Sequence, residues 1–261
     1  MKKILIAILA FSSVATAQNT YRSYLKDNTT YREHALDITR MKVEVSFEPT
    51  KGLVKGKVMH SFTVLQKQVD SVFFDAPGIQ IKSALLGTQA LAFNKTDKGV
   101  WVIPNKPLQW DQQNTITFDY EATPRKGIYF IGWNVPGNPV KNPFAVRKQI
   151  WTQGQGVDNR YWIPMYDDMN DKFITETVVT FENGYEVLSN GGLVKKTANK
   201  NNTTTWHYSM TKPHAGYLLM LGIGKYSIKK TKSGKGVPMN LYYYPEFAER
   251  AEPTYRHSEM M

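Results

Sequence analysis

The 261-residue sequence has no cysteine. Neither disulfides nor a lipid-modified cysteine behind a leader can form, so stability has to come from packing. Long apolar runs are missing too. The longest, Ile4 to Phe11, falls well short of the roughly 20 residues a bilayer span needs, which argues against a membrane span. Acidic residues are few, 22 against 33 Lys and Arg. The resulting charge of +11 drops to +9 without Lys2 and Lys3. The lysines are scattered through KKTANKNN and KKTKSGKG and do not alternate with rings on one track, so they read as solvated loops and strand edges, and no nucleic-acid partner is expected. The catalytic motifs are also absent: no GxSxG elbow, no P-loop and no GxGxxG. The five histidines, His34, His60, His207, His214 and His257, include no pair at the i, i+4 spacing of a helical zinc site, so no metal site and no cofactor is expected in this chain. Three of them, His60, His207 and His214, lie in or beside strands and read as satisfied sheet residues.

The N-terminus is informative. MKKILIAILAFSSVATAQ places two lysines before a short apolar run and closes on Ala15, Thr16, Ala17, the pattern of a secretory signal cleaved before Gln18. It predicts an exported protein, periplasmic or secreted. Four N-x-T sequons, at Asn28, Asn94, Asn201 and Asn202, matter only in a host that glycosylates such proteins.

From Ala35 to about Ile228 the dominant period is two. Val54, Val58, Phe62 and Val64 fall on one side of LVKGKVMHSFTVL, with Lys55, Lys57, Ser61 and Thr63 on the other. KVEVSF, VDSVFFDA, IQIKSALL, VWVIP, NTITFDY, FITETVVTF, TWHYSM and GYLLMLGIGKYSI continue the pattern. The turn sequences EPTKG, TDKG, ENG and NGG punctuate it. Many short strands without amphipathic helices between them predict an all-β antiparallel sandwich or barrel. After Lys235, VPMNLYYYP reads as one more short strand. AERAEPTYRHSEMM then reads as the start of a helix, with Pro253 in its first turn. The ending on Met261, with neither cap nor polar tail, reads as an interruption or as a frayed natural helix.

The passage WTQGQGVDNRYWIP carries the most chemistry. Residues two apart in a strand point the same way, so Gln153 and Gln155 are predicted to project together, with Gly154 and Gly156 allowing a close backbone approach. Two carboxamides suit a polar or zwitterionic ligand end, or equally the free backbone of a sheet edge. Downstream, Asp167, Asp168 and Asp171 offer oxygens for calcium, but without the glycine turn or distal glutamate of an EF-hand loop. They offer equally a bidentate carboxylate partner for Arg160.

In the order of its residues, WTQGQGVDNRYWIPMYDDMNDKFITETVVTF resembles the zinc aminopeptidases of the aminopeptidase N and leukotriene hydrolase family. Thr152, Gln153, Gln155, Arg160, Pro164 and Asp168 match a TQ-x-E/Q run followed by arginine, proline and aspartate. KGIYFIGW at 126–133 and PHAGYLLMLGIGKYS at 213–227 resemble two further segments, so the likeness covers about 35–235. The resemblance implies a saddle-like β-sandwich at 35–236, after a signal at 1–17 and a lead-in at 18–34. It implies that 237–261 begin a thermolysin-like catalytic domain, which the family carries in the same chain together with zinc. It further implies that Gln155 meets the amino terminus of a peptide substrate, that Gln153 lines the adjacent pocket, and that Arg160 and Asp168 support the loop. Two positions depart from the family: glutamate is usual at 155, and a proline is usual where Met169 and Asn170 follow the aspartate. The chain ends before any HExxH, so no hydrolysis is expected of it alone. A different class of reading is a stand-alone sandwich module that binds carbohydrate or protein through Trp133, Trp151, Tyr161 and Trp162.

Overall fold

The alternation of Leu53–Val64 carries directly into three dimensions. In the computed structural model, which describes residues 35–137 and 147–260, Val54, Val58, Phe62 and Val64 are fully buried while Lys55 and Lys57 stand in solvent. The signal-like segment 1–17, the lead-in 18–34 with Asn28, and His34 lie outside the described residues.

The main sheet has eight strands in the spatial order Gly192–Ala198, Thr203–Ala215, Lys172–Glu182, Leu36–Glu48, Leu53–Val64, Asn114–Ala122, Gln80–Leu86 and Gln89–Ala90. One pairing corrects the purely antiparallel expectation. Leu36–Glu48 runs parallel to Lys172–Glu182, with Arg40 opposite Ile174 and Ser46 opposite Thr180, while its other neighbour, Leu53–Val64, is antiparallel. A parallel partner needs a long crossover, and here the crossover is most of the domain. The strand Leu36–Glu48 also changes phase. Leu36 and Ile38 are buried, then Met41, Val43 and Val45, because the register shifts between Ile38 and Arg40. That bulge absorbs one residue and keeps both apolar sets on the core face.

Two smaller sheets cover the inner face. One holds Ile128–Ile131, Gln149–Thr152, Leu221–Gly224 and Glu186–Ser189; the other holds Val72–Asp75, Gly99–Ile103 and Ala92–Lys95. Aromatic edges join the layers. Phe74 of the three-stranded sheet meets Phe118 at 5.1 Å and Phe62 at 6.4 Å between ring centres, while Phe130 meets Phe47 at 6.0 Å. Edge-to-face pairs of this kind add about 0.5–1.5 kcal/mol each beyond burial. The result is an all-β sandwich around one hydrophobic core.

The C-terminal end differs in detail from the sequence reading. Pro245 opens a 3-10 turn that leads into the helix Ala248–Tyr255, so Pro253 sits inside the helix and not in its first turn. Residues Ser227–Lys232 and Pro238–Tyr243 pair as a hairpin, which places the 236/237 boundary at its turn. Gly216–Leu218 is a 3-10 turn interrupting what the period suggested was continuous strand.

Candidate substrate-end site

The strand Gln149–Thr152 ends one residue before Gln153. Its last ties are Thr152 Oγ1, which accepts from the amide of Leu221 at 2.8 Å, and the Gln153 amide, which donates to the carbonyl of Gly127 at 2.9 Å. Beyond that point the backbone leaves the sheet, so the two glutamines belong to a loop and not to a strand face as the alternation implied. They nevertheless lie together: both side chains are exposed, and Gln153 Nε2 reaches Gln155 Oε1 at 3.4 Å. Neither is enclosed by the core.

The flanking glycines have different tasks from those expected. A Cβ on Gly154 would lie 2.3 Å from Asn159 Nδ2 and 2.6 Å from the carbonyl oxygen of Tyr217. The close approach at Gly154 is therefore to the protein's own interior. Gly156 has open space around it but a φ of +82°, a left-handed turn that glycine adopts without strain.

Two buried polar residues hold this loop. Asn159, fully buried, donates through Nδ2 to the carbonyls of Gly216 (2.9 Å) and Leu219 (3.3 Å) and accepts through Oδ1 from the Trp162 indole (2.9 Å). Its amide donors thus lock the loop to the 216–219 turn, while its Oδ1 ties the loop to Trp162. Arg160 places Nη1 3.1 Å from Asp75 Oδ1 and Nε 3.5 Å from Asp167 Oδ2, donates through Nη2 to the Asp167 carbonyl at 2.6 Å, and adds its backbone amide to Asp167 Oδ2 at 3.1 Å. Asp75 Oδ2 accepts in turn from the Asp167 amide at 3.1 Å.

The carboxylate beside Arg160 is therefore Asp167, joined by Asp75 from the three-stranded sheet. Asp168, matched to the family's aspartate in the sequence reading, turns to accept the Asn170 amide at 2.9 Å instead. Asp171 accepts from the amide of Ile38 at 3.2 Å. The three carboxylates that suggested calcium are thus spent on separate partners. Among the described residues no group of three His, Cys, Asp or Glu comes together to hold a metal ion, so zinc does not fit the residues present and no zinc chemistry is assigned to them.

Two carboxylates share one guanidinium out of water. Burial pushes the Asp167 carboxyl up to about 6, against the pull of Arg160 and with Asp75 adding to the rise. Behind the segment, fully buried His60 contacts the Pro164 carbonyl through Nε2 at 2.8 Å. Burial pushes its imidazole down to about 4, which leaves it neutral and donating that hydrogen bond.

The model of the peptidase M1 N-terminal domain matches residues 29–218. The chain belongs to the M1 peptidase family. Several solved M1 structures share its fold. A two-domain M1 zinc metallopeptidase mutant bound to L-arginine gives a TM-score of 0.65 at 17% identity, covering 80% of this chain and 47% of that one. A mutant M1 zinc metallopeptidase from Deinococcus radiodurans bound to a Tyr-Ser-Ala substrate gives 0.66 at 17%, covering 84% and 52%. The M1 zinc metallopeptidase from the same organism gives 0.66 at 16%, covering 80% and 47%. At such identities the likeness is one of fold, and the chain spans about half the length of these structures. Comparison with curated proteins gave no match.

Within this M1 domain, the aromatics proposed for a binding platform divide. Trp133 and Trp162 are buried in the core, and Tyr161 is half-buried with the Lys126 ammonium 5.5 Å from its ring centre. Only Trp151 stays exposed, stacked on Tyr129 at 5.0 Å. Sequence reasoning had missed Asn159 and Asp75, whose anchoring partners, the 216–219 turn for Asn159 and Arg160 with Asp167 for Asp75, lie far off in the chain.

Proposed function

We propose that residues 35–236 are the domain through which an exported M1 zinc metallopeptidase holds the amino end of a peptide. Gln155 and Gln153 meet that end, and residues 237–261 lead into a catalytic domain that carries the zinc. The observation that supports this reading is the pair of exposed carboxamides in mutual contact, on a loop anchored by Asn159 and Arg160. Exposed amides with an acceptor and a donor each can take an ammonium and a peptide carbonyl together. The leader-like N-terminus supports export, and the M1 match supports a zinc-bearing partner domain.

The test is side-chain amide NMR of Gln153 and Gln155 during titration with a short peptide, free or acetylated at its amino terminus. The free peptide is expected to shift both amides and the acetylated one to shift them less. Gln155→Glu adds a charge-assisted partner for the ammonium and is expected to tighten binding about tenfold. Shifts at neither amide, or equal shifts from both peptides, overturn the reading.

A further inference from the structure

Between Val187 and Pro245 the sequence holds nine lysines and no aspartate or glutamate. The fold brings much of this segment together. Leu193, on the edge strand Gly192–Ala198, faces Tyr208 across the strand pair. Tyr208 is in hydrogen-bonding contact with Tyr242, and Tyr242 faces Ile228 across the hairpin. The edge strand and the hairpin are therefore neighbours across that tyrosine pair. Along Ser227–Lys232, Lys230 and Lys232 share the phase of Ile228.

Only two of the lysines here have an acidic partner among the described residues: Lys196 with Glu186 at 2.7 Å, and Lys229 with Glu252 at 3.3 Å. Lys230 and Lys232, in phase with Ile228 and Tyr242, have none among the described residues, while Lys195 faces His207 across the strand pair and so lies on the other side of the edge strand from Leu193. Beside them stand exposed apolar side chains: Leu193 at 50% exposure, Val194 at 60%, Val237 at 58% and Ile228 at 36%. The edge strand is exposed at every position and has a neighbour on one side only.

We infer that this face docks on an anionic phospholipid surface. Uncompensated lysines supply attraction to headgroup phosphates, each losing its effect within a Debye length. Four aliphatic tips among them supply what a phosphate polymer would not use, namely apolar area for the boundary beneath the headgroups. Exposed rings for stacking, which a nucleic-acid strand would require, are not part of this cluster. The inference is independent of the peptide-end reading, because none of its residues touches the glutamine loop.

The experiment is co-sedimentation of residues 18–261, the chain without its signal-like leader, with vesicles of phosphatidylcholine alone and of equimolar phosphatidylcholine and phosphatidylglycerol, at low and high salt. Binding is expected to the mixed vesicles only, and to be reversed by salt. Lys230→Glu/Lys232→Glu is expected to lower partition at least about thirtyfold. Leu193→Ser/Val194→Ser is expected to lower it about tenfold. Lys67→Glu/Lys98→Glu makes the same change in net charge elsewhere and should leave partition within about twofold of the wild type. Equal losses from both charge reversals mean that net charge alone acts, and overturn the inference. So do the absence of vesicle binding, retention by heparin or DNA without vesicle binding, and concentration-dependent dimers that the Leu193 and Val194 changes dissolve. The contrast between the two vesicle types needs no variant, so a variant that fails to fold does not remove the test.

Discussion

Asn159→Ala is the most informative single change, because Asn159 ties three separate parts of the glutamine loop's support together. The substitution removes the partner of the Trp162 indole N–H and of the Gly216 and Leu219 carbonyls, all held by one fully buried side chain. Each buried group left without a partner costs about 1–3 kcal/mol. Allowing for partial relaxation, and for water reaching one carbonyl, the loss should be about 3–5 kcal/mol, a large part of the roughly 5–15 kcal/mol that holds a domain folded. At about 2–4 °C per kcal/mol for a chain of this size, the melting temperature should fall by about 10 °C. Gly154→Ala is the companion. Its Cβ would press on Asn159 Nδ2 at 2.3 Å and on the Tyr217 carbonyl at 2.6 Å, and Asn159→Ala relieves only the first contact. The double variant should therefore lose at least about 1 kcal/mol less than the sum of the singles. Urea denaturation followed by tryptophan fluorescence measures all three, with Trp162 reporting locally. An Asn159→Ala loss below about 1 kcal/mol, or strict additivity with Gly154→Ala, would refute the idea that these two residues form one clamp.

Arg160→Ala leaves Asp75 and Asp167 buried without their shared cation and should cost about 3–5 kcal/mol in chemical denaturation. Arg160→Lys should recover only part of this, since one ammonium cannot replace three directed N–H groups. Two pH dependences should oppose each other. The native Asp167 carboxyl, at about 6, binds its proton more tightly than the unfolded one at 3.8, so its contribution to stability falls as pH rises through that window, by about 3 kcal/mol. Native His60, at about 4, binds its proton less tightly than the unfolded 6.5, so its contribution is lost as pH falls from 6.5 towards 4, by a similar amount. Urea midpoints of the wild type should therefore change little between these limits. Asp167→Asn should unmask the acid loss and His60→Gln the opposite slope; a flat profile in both variants would contradict the assignment.

Much of the fold was legible because its cause is local. Alternation along Leu53–Val64 and Asn114–Ala122, and turns at Gly52, Gly184 and Gly191 with positive φ, are written in neighbouring residues. What was not legible is set by distant partners. The parallel pairing of Leu36–Glu48 with Lys172–Glu182 depends on a strand more than a hundred positions away, and the bulge that lets its apolar residues switch phase is set by its register against Leu53–Val64. The same holds at the site. The TQ-x-Q passage and Arg160 could be found by eye, but whether Arg160 takes Asp167 or Asp168 is decided by Asp75, which arrives from another sheet. Trp133 and Trp162 show the converse limit. A tryptophan in a glycine-rich passage looks like a surface platform, and only the packing of Trp133 on Phe181 at 6.5 Å and of the Trp162 indole on Asn159 reveals them as core.

The placement of the two carboxamides follows from this polar framework more than from the sheet. The ladder stops at Thr152, and one backbone bond, from Gln153 to Gly127, separates it from the loop. From there the position of Gln155 is set by what lies beneath it: Gly154 against Asn159, Asn159 against the 216–219 turn, and Arg160 against Asp75 and Asp167. These contacts join a strand of the three-stranded sheet, the strand end at Thr152 and the turn before Leu221–Gly224, so the amides cannot shift without disturbing at least one buried polar group. A loop fixed by hydrophobic packing alone could slide at small cost. One fixed by directed, buried hydrogen bonds loses about 1–3 kcal/mol for each bond left unmade, and so keeps its two carboxamides in one arrangement before any ligand arrives.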